Sequence, residues 1–571
     1  MKLIRPIPPS ITPPLSVLVV VAWLICMALL VHRSYLQAAP ANLATDLARY
    51  GPTATWRGVY YRGEKIGFTV SQTVRTPDGF ELQEDARLQL TLLGSTSTTT
   101  IRTTALVDAS FVLQSFAFSL DPGTGAIHVR GSIDPPGSES AGSYQLTVAI
   151  TSAGVTRTET HQLAEPPVMS LNMSRILASR GIAAGTRHHW TILDPATMRH
   201  APVDVRIGAR EVVRTRDGVF PAFRVDMSYY GLQTTSWVTD TGDIIREESP
   251  LGLMTVRESS EQAQGLAIPS GVQQDLMRMS AVVPVMSRRI DEPRDVRRLR
   301  LRLEGVELPD ADLDGVGQTV EGSIIEIKDP RTLQPGPADA NAKRFLAPER
   351  LIESDAPEIV AEAERAVGTA TRTRDKAERL TRYVNALLDK KPTVSLPSAL
   401  EVLRTKVGDC NEHTALYVAM ARAAGIPARI AVGLVYVRGA QGAFYYHAWP
   451  EVYLEESAGR GLWLPVDPTL NQFPADGTHL RLVRGGLDEQ AAILPLIGRL
   501  RMTVLDMELD PQSTPVLVGA AETELPLLAA ATPEPRAVRR AERAKRDWQP
   551  AEGAGGTSGA EPLAGSCGCD K

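Results

Sequence analysis

The chain divides into stretches with different patterns of apolar and polar positions. Residues 15–31 form an uncharged apolar run behind Lys2 and Arg5, which predicts one membrane-crossing helix with the amino terminus inside. Apolar and polar residues then alternate over residues 41–261, as expected for antiparallel strands with one face in water. The patterns predict five segments: a membrane anchor (1–40), a β-rich domain (41–261), a linker with a small β unit (262–344), a mixed helix and strand domain (345–509) and a disordered tail (510–571).

The apolar run at residues 15–31 has two interpretations. It is short for a membrane-crossing helix and long for the apolar part of a cleaved signal peptide. Ala39 and Ala41 are small enough for a cleavage site, but Pro40 stands between them. We therefore favour a retained, single-pass anchor, which would leave the body of the protein on the periplasmic or extracytoplasmic side of the cytoplasmic membrane.

Turn residues punctuate the β-rich domain. Asp78-Gly79 predicts a tight hairpin, and residues 166–184 predict the one helical interruption. His188 and His189 suggest a metal site, but neighbours on a strand point to opposite faces, which favours a structural or exposed pair. We therefore predict neither a metal nor a cofactor for this domain.

One strand of the small β unit, predicted at residues 297–303, alternates strictly between apolar and basic side chains. One face of the strand carries Leu299, Leu301 and Leu303, and the other carries Arg298, Arg300 and Arg302. The arginine face suggests a site for an anionic ligand, or a face in contact with solvent. We favour the solvated face, because such alternation is typical of a half-buried strand.

The mixed domain opens with three predicted helices, at residues 355–366, 373–388 and 398–403. Asp409 then caps a further helix that begins at Cys410, and Gly425 ends this helix ahead of Pro427. A helix N-terminus offers unpaired N–H groups and the positive end of the dipole. We therefore expect the thiolate of Cys410 to be favoured.

Three strands are predicted after this helix, at Ala428–Val437, 444–454 and 462–466. If the hairpin turn is centred at Gly459 or one residue before it, His447 and Asp467 lie about equally far from the turn. Their side chains then share one face of neighbouring strands. A cysteine at a helix N-terminus with this histidine and aspartate supplies a nucleophile, its base and the carboxylate that orients the base.

Three ordered motifs of the domain resemble those of the transglutaminase-like superfamily, the papain-related cysteine enzymes. They are a Gly-Asp-Cys ending at Cys410, a His-Ala-Trp beginning at His447 and an Asp-Pro-Thr beginning at Asp467. The resemblance spans about residues 345–482. It implies an α+β fold with a papain-like core behind the β-rich region, with Cys410 as nucleophile, His447 as base and Asp467 as orienting carboxylate. The backbone N–H of Cys410 can serve as one oxyanion donor, and Trp449 is our candidate for the second.

The implied function is thiol-dependent acyl transfer on a protein or peptide substrate, either as a peptidase or amidase or as a protein-glutamine transglutaminase. The alternative is a non-catalytic scaffold of the same fold that binds peptide or cell-wall polymer. All three motif positions are filled, which favours the enzyme. Few aromatic residues are expected near the nucleophile, namely Tyr445, Tyr446, Trp449 and Trp463. So small a set favours an open cleft and hydrolysis. His479 either supports the site or is an ordinary surface residue.

Charge and cysteine content limit the classes of partner and cross-link that the chain can have. The 61 Lys and Arg residues stand against 66 Asp and Glu residues, so the chain has no basic excess that would indicate nucleic acid. Of four cysteines, Cys410 alone lies between Cys26 and the tail, which excludes a disulfide framework in the folded body. Cys567 and Cys569 are too few ligands for a metal site, and we interpret them as part of a flexible, reactive tail.

Overall fold

The computed structural model describes residue 47 and residues 49–510, apart from 93–94, 137–142, 230, 266–274, 307–312, 393–394, 440–441 and 458. The predicted anchor at residues 15–31 and the tail with Cys567 and Cys569 lie outside the described residues. Among the helices that are described, none is both long enough and apolar enough to cross a membrane.

The β-rich region folds into an antiparallel sheet of fourteen described strands. The sheet consists of two meanders, β1 to β8 and β9 to β14, which are joined edge to edge where β1 pairs with β14. A helix, α1, connects the meanders and confirms the predicted helical interruption. The bounds are β1 Thr55–Tyr61, β2 Glu64–Thr76, β3 Gly79–Leu92, β4 Ser95–Asp108, β5 Leu113–Asp121, β6 Ile127–Asp134, β7 Tyr144–Ser152, β8 Val155–Leu163, α1 Ser170–Ser179, β9 Arg187–Asp194, β10 Arg199–Thr215, β11 Gly218–Tyr229, β12 Leu232–Val238, β13 Ile244–Glu248 and β14 Leu253–Glu258.

Local turn chemistry sets the register of these strands. The turn between β1 and β2 has positive φ angles at Arg62 (48°) and Gly63 (90°), the backbone that a two-residue hairpin of matching twist requires. The predicted turn before Gly79 is present between β2 and β3. His189 forms an exposed pair with Asp204, and His188 stacks on Trp190, as expected for histidines that do not share a ligand.

The small β unit is completed by a strand from far along the chain. Its sheet has the order β16-β17-β15-β25, with β15 at Val296–Glu304, β16 at Gln318–Glu321, β17 at Ile324–Lys328 and β25 at Arg501–Leu509. Leu299 and Leu301 of β15 are fully buried. On the opposite face, Arg298 pairs with Glu326 at 3.2 Å and with Asp506 at 2.7 Å. These arginines therefore face solvent and neighbouring carboxylates, in agreement with the interpretation we favoured.

The remaining elements include a five-stranded sheet with helices packed against it, while α2 (Ser260–Gln264) packs on β1 and β2. Its strand order is β18-β23-β22-β21-β24, and a short parallel pair, β19 with β20, leads into α7. The bounds are α2 Ser260–Gln264, α3 Leu276–Ser280, β18 Gly336–Pro337, α4 Pro357–Val367, α5 Thr373–Leu387, β19 Asp389–Lys390, α6 Ala399–Thr405, β20 Val407–Gly408, α7 Cys410–Ala423, β21 Ala428–Val437, β22 Ala443–Ser457, β23 Arg460–Pro465, β24 Leu480–Arg484 and α8 Leu487–Gln490, with 3-10 turns at Pro293–Asp295, Pro330–Thr332, Ala342–Leu346 and Ala491–Leu496.

The hairpin β22–β23 has the predicted register. Leu454 pairs with Leu462 and Glu451 with Pro465, which centres the hairpin one residue before Gly459. Asp467 follows the end of β23 and forms an isolated bridge with Gln472. The β-rich region followed by this mixed sheet and its helices confirms the α+β class.

Candidate active site

Cys410 is the first residue of α7, and local contacts fix this position. The Asp409 carboxylate accepts a hydrogen bond from the Asn411 N–H at 2.9 Å, and the Glu412 carboxylate accepts one from the Asp409 N–H at 2.8 Å. This reciprocal capping box satisfies N–H groups that the helix end would otherwise leave unpaired. A Cβ at Gly408 would collide with the Glu412 side chain, so the end of β20 before the cap requires glycine.

The Cys410 thiol lies in surroundings that favour its neutral form. Burial raises the pKa of Cys410 well above its ordinary value, and the Asp409 carboxylate adds to the rise, while a backbone hydrogen bond from Ala448 opposes it. The expectation that the helix N-terminus leaves the thiolate favoured is therefore wrong for the resting site. Burial and nearby carboxylates outweigh the helix end, so the thiol proton has to be removed by a base.

His447 lies on β22 and is hydrogen-bonded to Asp467. The Nε2 atom of His447 is 2.8 Å from Oδ2 of Asp467, and both side chains are buried. Asp467 is held from a second side, because its Oδ1 accepts a hydrogen bond from the Leu470 N–H at 2.9 Å. With Nε2 engaged, Nδ1 is the ring nitrogen left for the thiol. The approach of the Cys410 sulfur to this nitrogen stays a prediction.

His479 contacts the same carboxylate and is a residue whose importance the sequence left open. Its Nε2 lies 3.1 Å from Asp467 Oδ2 and its Nδ1 lies 3.1 Å from Asp476 Oδ1. The ring is buried, so the alternative of an ordinary surface histidine is wrong. Burial lowers the pKa of His479, but Asp476 and Asp467 outweigh it and raise the pKa to about 10. His479 is therefore a buried cation between two carboxylates.

The carboxylate of Asp476 is itself held in place. It accepts hydrogen bonds from the Thr478 N–H at 2.9 Å and from the Gln472 amide at 2.8 Å. Burial raises the pKa of Asp476, but His479 and Thr478 outweigh it and lower the pKa to about 2. The spacing of Asp476 and His479, three residues apart directly before β24, was the available sequence signal for this pair.

Trp449 packs against both imidazoles. Its ring centroid is 6.1 Å from that of His447 in a stacked arrangement, and 5.1 Å from that of His479 in an edge-on arrangement. Only 1% of the Trp449 surface is exposed. The alternation of β22 explains the contact, because His447 and Trp449 are two residues apart and share a face. The role of Trp449 as an oxyanion donor stays a prediction.

The histidine of α7, His413, is engaged elsewhere. Its Nδ1 lies 2.6 Å from the Asp409 carbonyl oxygen, one helical turn earlier, so Nδ1–H donates to that oxygen. Burial lowers the pKa of His413 to about 4, which keeps the ring neutral near pH 7. His413 therefore supports the turn that carries Cys410.

The atoms of His447, Asp467 and His479 that could bind a metal ion lie within 4.8 Å of one another. Both imidazole Nε2 atoms, however, are within hydrogen-bond distance of one oxygen, Asp467 Oδ2. Metal ligands direct their lone pairs at a common ion, whereas here two rings are directed at a carboxylate. Hydrogen bonds therefore account for the cluster.

Comparison with known protein families identifies this part of the fold. Residues 361–468 match the transglutaminase-like superfamily. The match confirms the family that the motifs indicated, over a stretch that contains Cys410, His447 and Asp467. Members of the superfamily are typically thiol-dependent acyl-transfer enzymes, although some are inactive.

Solved structures similar to parts of the chain include the following three. A protein from Cytophaga hutchinsonii that is proposed to be a cysteine protease is 17% identical (TM-score 0.24; 38% of this chain and 85% of that one). The ethylmercury-bound periplasmic domain of TgpA from Pseudomonas aeruginosa is 19% identical (TM-score 0.21; 30% and 73%). A β-barrel-like protein of domain of unknown function DUF1849 from Brucella abortus is 13% identical (TM-score 0.28; 36% and 96%). No curated protein matches this chain.

Proposed function

We propose that the protein is a thiol-dependent acyl-transfer enzyme that acts on an amide bond of a peptide or protein. The observation that carries the proposal is the buried 2.8 Å hydrogen bond between His447 Nε2 and Asp467 Oδ2. His447 is followed on β22 by Ala448, whose backbone is hydrogen-bonded to the Cys410 thiol. Cys410 is the nucleophile, His447 the general base and Asp467 the carboxylate that orients the base.

The first step is proton transfer and attack by the thiol. The raised pKa of Cys410 requires a base, and His447 Nδ1 takes the thiol proton as the sulfur attacks the carbonyl carbon. A C–S bond forms and the carbonyl oxygen becomes an oxyanion. When the C–N bond then breaks, the imidazolium returns the proton to the departing amine, which leaves a thioester on Cys410. Water or an amine acceptor resolves the thioester.

Asp467 and His479 prepare His447 for this task. The hydrogen bond to Asp467 places the ring proton on Nε2 and leaves the Nδ1 lone pair for the thiol. His479 contacts the same carboxylate oxygen from another side and is anchored by Asp476. We assign His479 as a positioning residue that restricts the movement of Asp467.

Oxyanion stabilisation comes first from the backbone N–H of Cys410 at the start of α7. We retain Trp449 as the candidate for the second donor. Its contacts with His447 and His479 also support a simpler role, in which the indole packs behind the base and keeps water from the buried hydrogen bonds.

We favour hydrolysis over transamidation. Transamidation needs a channel that admits an amine and excludes water, usually between aromatic walls. Trp449 is in contact with the histidines, and Trp463 packs on Phe345 and donates to Asp339 at 2.9 Å. Both tryptophans near the hairpin therefore have core partners, which supports a cleft open to water and a peptidase or amidase.

We place the body of the enzyme outside the cytoplasm, with residues 15–31 as the anchor. The support is the positive Lys2 and Arg5 ahead of the apolar run. Alkaline phosphatase fused after Asp510 is active only outside the cytoplasm and should be active here. Activity of a reporter restricted to the cytoplasm at the same position would contradict this topology.

The enzymatic proposal is tested by incubating the purified full-length protein with a defined peptide mixture and a labelled primary amine. New peptide termini, detected by mass spectrometry and absent with Cys410→Ala, are the expected result. Cys410-dependent incorporation of the amine without new termini would make the protein a transglutaminase. Equal results for wild type and Cys410→Ala would favour the non-catalytic scaffold.

A further inference from the structure

The β-rich region is packed firmly against the region that carries the nucleophile. Leu351 and Leu396 of the transglutaminase-like side pack against the buried cluster of the fourteen-stranded sheet. Arg350 adds a salt bridge to Glu159 at 3.0 Å and donates to the Thr197 carbonyl at 3.1 Å. Shared apolar burial and polar contacts together give the sheet a defined position relative to α7.

A cavity of about 540 Å³ lies between the two regions. Ile127 and Val129 of β6 and Met198 of the turn before β10 line it from the β-rich side, and Asn411 and Ala448 line it from the other side. This volume suits a few residues of a peptide. Neither region alone encloses the cavity.

The cavity reaches the residues that flank the nucleophile. Asn411 follows Cys410 on α7, and the backbone of Ala448 is hydrogen-bonded to the Cys410 thiol. Thr414, which also lines the cavity, donates to the Ala448 carbonyl at 3.0 Å and ties α7 to β22 at this point. A group held against Asn411 and Ala448 is therefore beside the residue that carries the reacting sulfur.

Several charged residues of the lining form ion pairs within the protein. Glu159 is paired with Arg350, and Arg429 and Arg484 are both paired with Glu451, at 2.7 and 3.0 Å. The wall from β6 and β7 is apolar, with Ile127, Val129 and Ile150. This wall favours an uncharged, apolar segment of an extended peptide.

We propose that this cavity is the acyl-donor site, that the β-rich region supplies one of its walls, and that it receives an apolar peptide side chain near the scissile amide. The proposal rests on the assignment of Cys410 as nucleophile. It makes the fourteen-stranded sheet a specificity-determining part of the enzyme.

The test fills the cavity from the β-rich side and compares two reagents that alkylate Cys410. Ala196 lines the cavity at the turn between β9 and β10 and is half-buried. In the full-length protein, Ala196→Val, Ala196→Leu and Ala196→Trp are treated with iodoacetamide, which is small, and with a dileucyl vinyl sulfone, which resembles an apolar peptide. Because Cys567 and Cys569 also react, the rate is measured by mass spectrometry of the proteolytic peptide that contains Cys410. Val212→Trp, on the exposed part of β10, is the matched control.

Alkylation by the vinyl sulfone should slow with the size of the new side chain, by at least about tenfold in Ala196→Trp, while the iodoacetamide rate stays within about twofold of wild type. Val212→Trp should resemble wild type with both reagents. Equal effects on both reagents across the series, or no effect on either, would overturn the proposal. Alkylation of Cys410 needs no catalytic turnover. If the protein cleaves no peptide, the enzymatic proposal is contradicted, but the comparison of the two alkylation rates still tests the cavity.

Discussion

The Nε2 atom of His479 lies 3.1 Å from Asp467 Oδ2, the oxygen that is also 2.8 Å from His447 Nε2. The carboxylate that orients the proposed base is thus shared between two imidazoles. One ring is that of the proposed base, and the other is fixed by Asp476. We therefore assign different functions to the two residues: Asp467 orients the proposed base, and His479 supports Asp467. Substitutions at the two positions should have different effects.

Asp467→Asn should lower kcat by about 10³- to 10⁴-fold with little change in KM, because an amide can stabilise the wrong His447 tautomer while it keeps the geometry. The measurement is steady-state peptide cleavage, with folding checked by circular dichroism. Asp204→Asn, at an exposed pair in the β-rich region, is the control. A folded Asp467→Asn enzyme with wild-type kcat would remove Asp467 from the mechanism.

His479→Gln should change how stability depends on pH. The pKa of His479 is raised to about 10 by Asp476 and Asp467 against the effect of burial, compared with about 6.5 for an unfolded histidine. The folded state binds this proton more tightly. The resulting stabilisation is therefore complete below about pH 6.5 and is lost as the pH rises towards 10.

The measurement for this prediction is Tm between pH 6 and 10. Wild-type Tm should fall more steeply over this interval than that of His479→Gln, so that the two curves converge at high pH. His189→Gln, which alters a surface histidine, should keep the wild-type slope. Parallel curves for wild type and His479→Gln would show that His479 is not a buried cation.

Chelators should leave activity unchanged. The cluster of His447, Asp467 and His479 is explained by hydrogen bonds, so the purified protein should contain less than one equivalent of any transition metal. Elemental analysis before and after treatment with EDTA gives the answer. Loss of one bound metal together with activity, both restored by adding that metal back, would show that the cluster is a metal site.

Glu451→Gln should destabilise the fold strongly. Glu451 is 1% exposed and is paired with Arg429, Arg481 and Arg484 at 2.7 to 3.1 Å. Removing its charge leaves buried guanidinium groups uncompensated, at a cost of about 3–5 kcal/mol. Chemical denaturation measures the change. Glu455→Gln, four residues along β22 and exposed, should have a free energy of unfolding close to wild type.

Local signals account for the parts of the site that the sequence predicted. The cap at Asp409, the start of α7 at Cys410 and the helix end at Gly425 each depend on neighbouring residues. The hairpin that brings His447 to Asp467 is similarly local, because its register follows from one turn. Short-range patterns of this kind can be recognised without knowledge of the rest of the fold.

Features that depend on distant parts of the chain could not be predicted. The burial of His479 requires the sheet around β24 and the carboxylates of Asp467 and Asp476. The pKa of Cys410 is raised by burial, which the helix-end argument did not include. Leu351 and Leu396 also pack on the fourteen-stranded sheet, whose residues are far from them in sequence, so no local pattern indicates this contact.

The pairing of β15 with β25 also has a consequence for biosynthesis. β15 begins at Val296 and its partner ends at Leu509, so the strand that completes their sheet is translated after every residue of the proposed triad. Until then, one edge of β15 has open hydrogen-bonding groups beside the buried leucines Leu299 and Leu301. A ribosome that stalls before residue 501, or a protease that cuts there, would release a chain in which this strand edge is unpaired and prone to aggregation. Quality-control factors that bind exposed strand edges would distinguish such a chain from the complete protein.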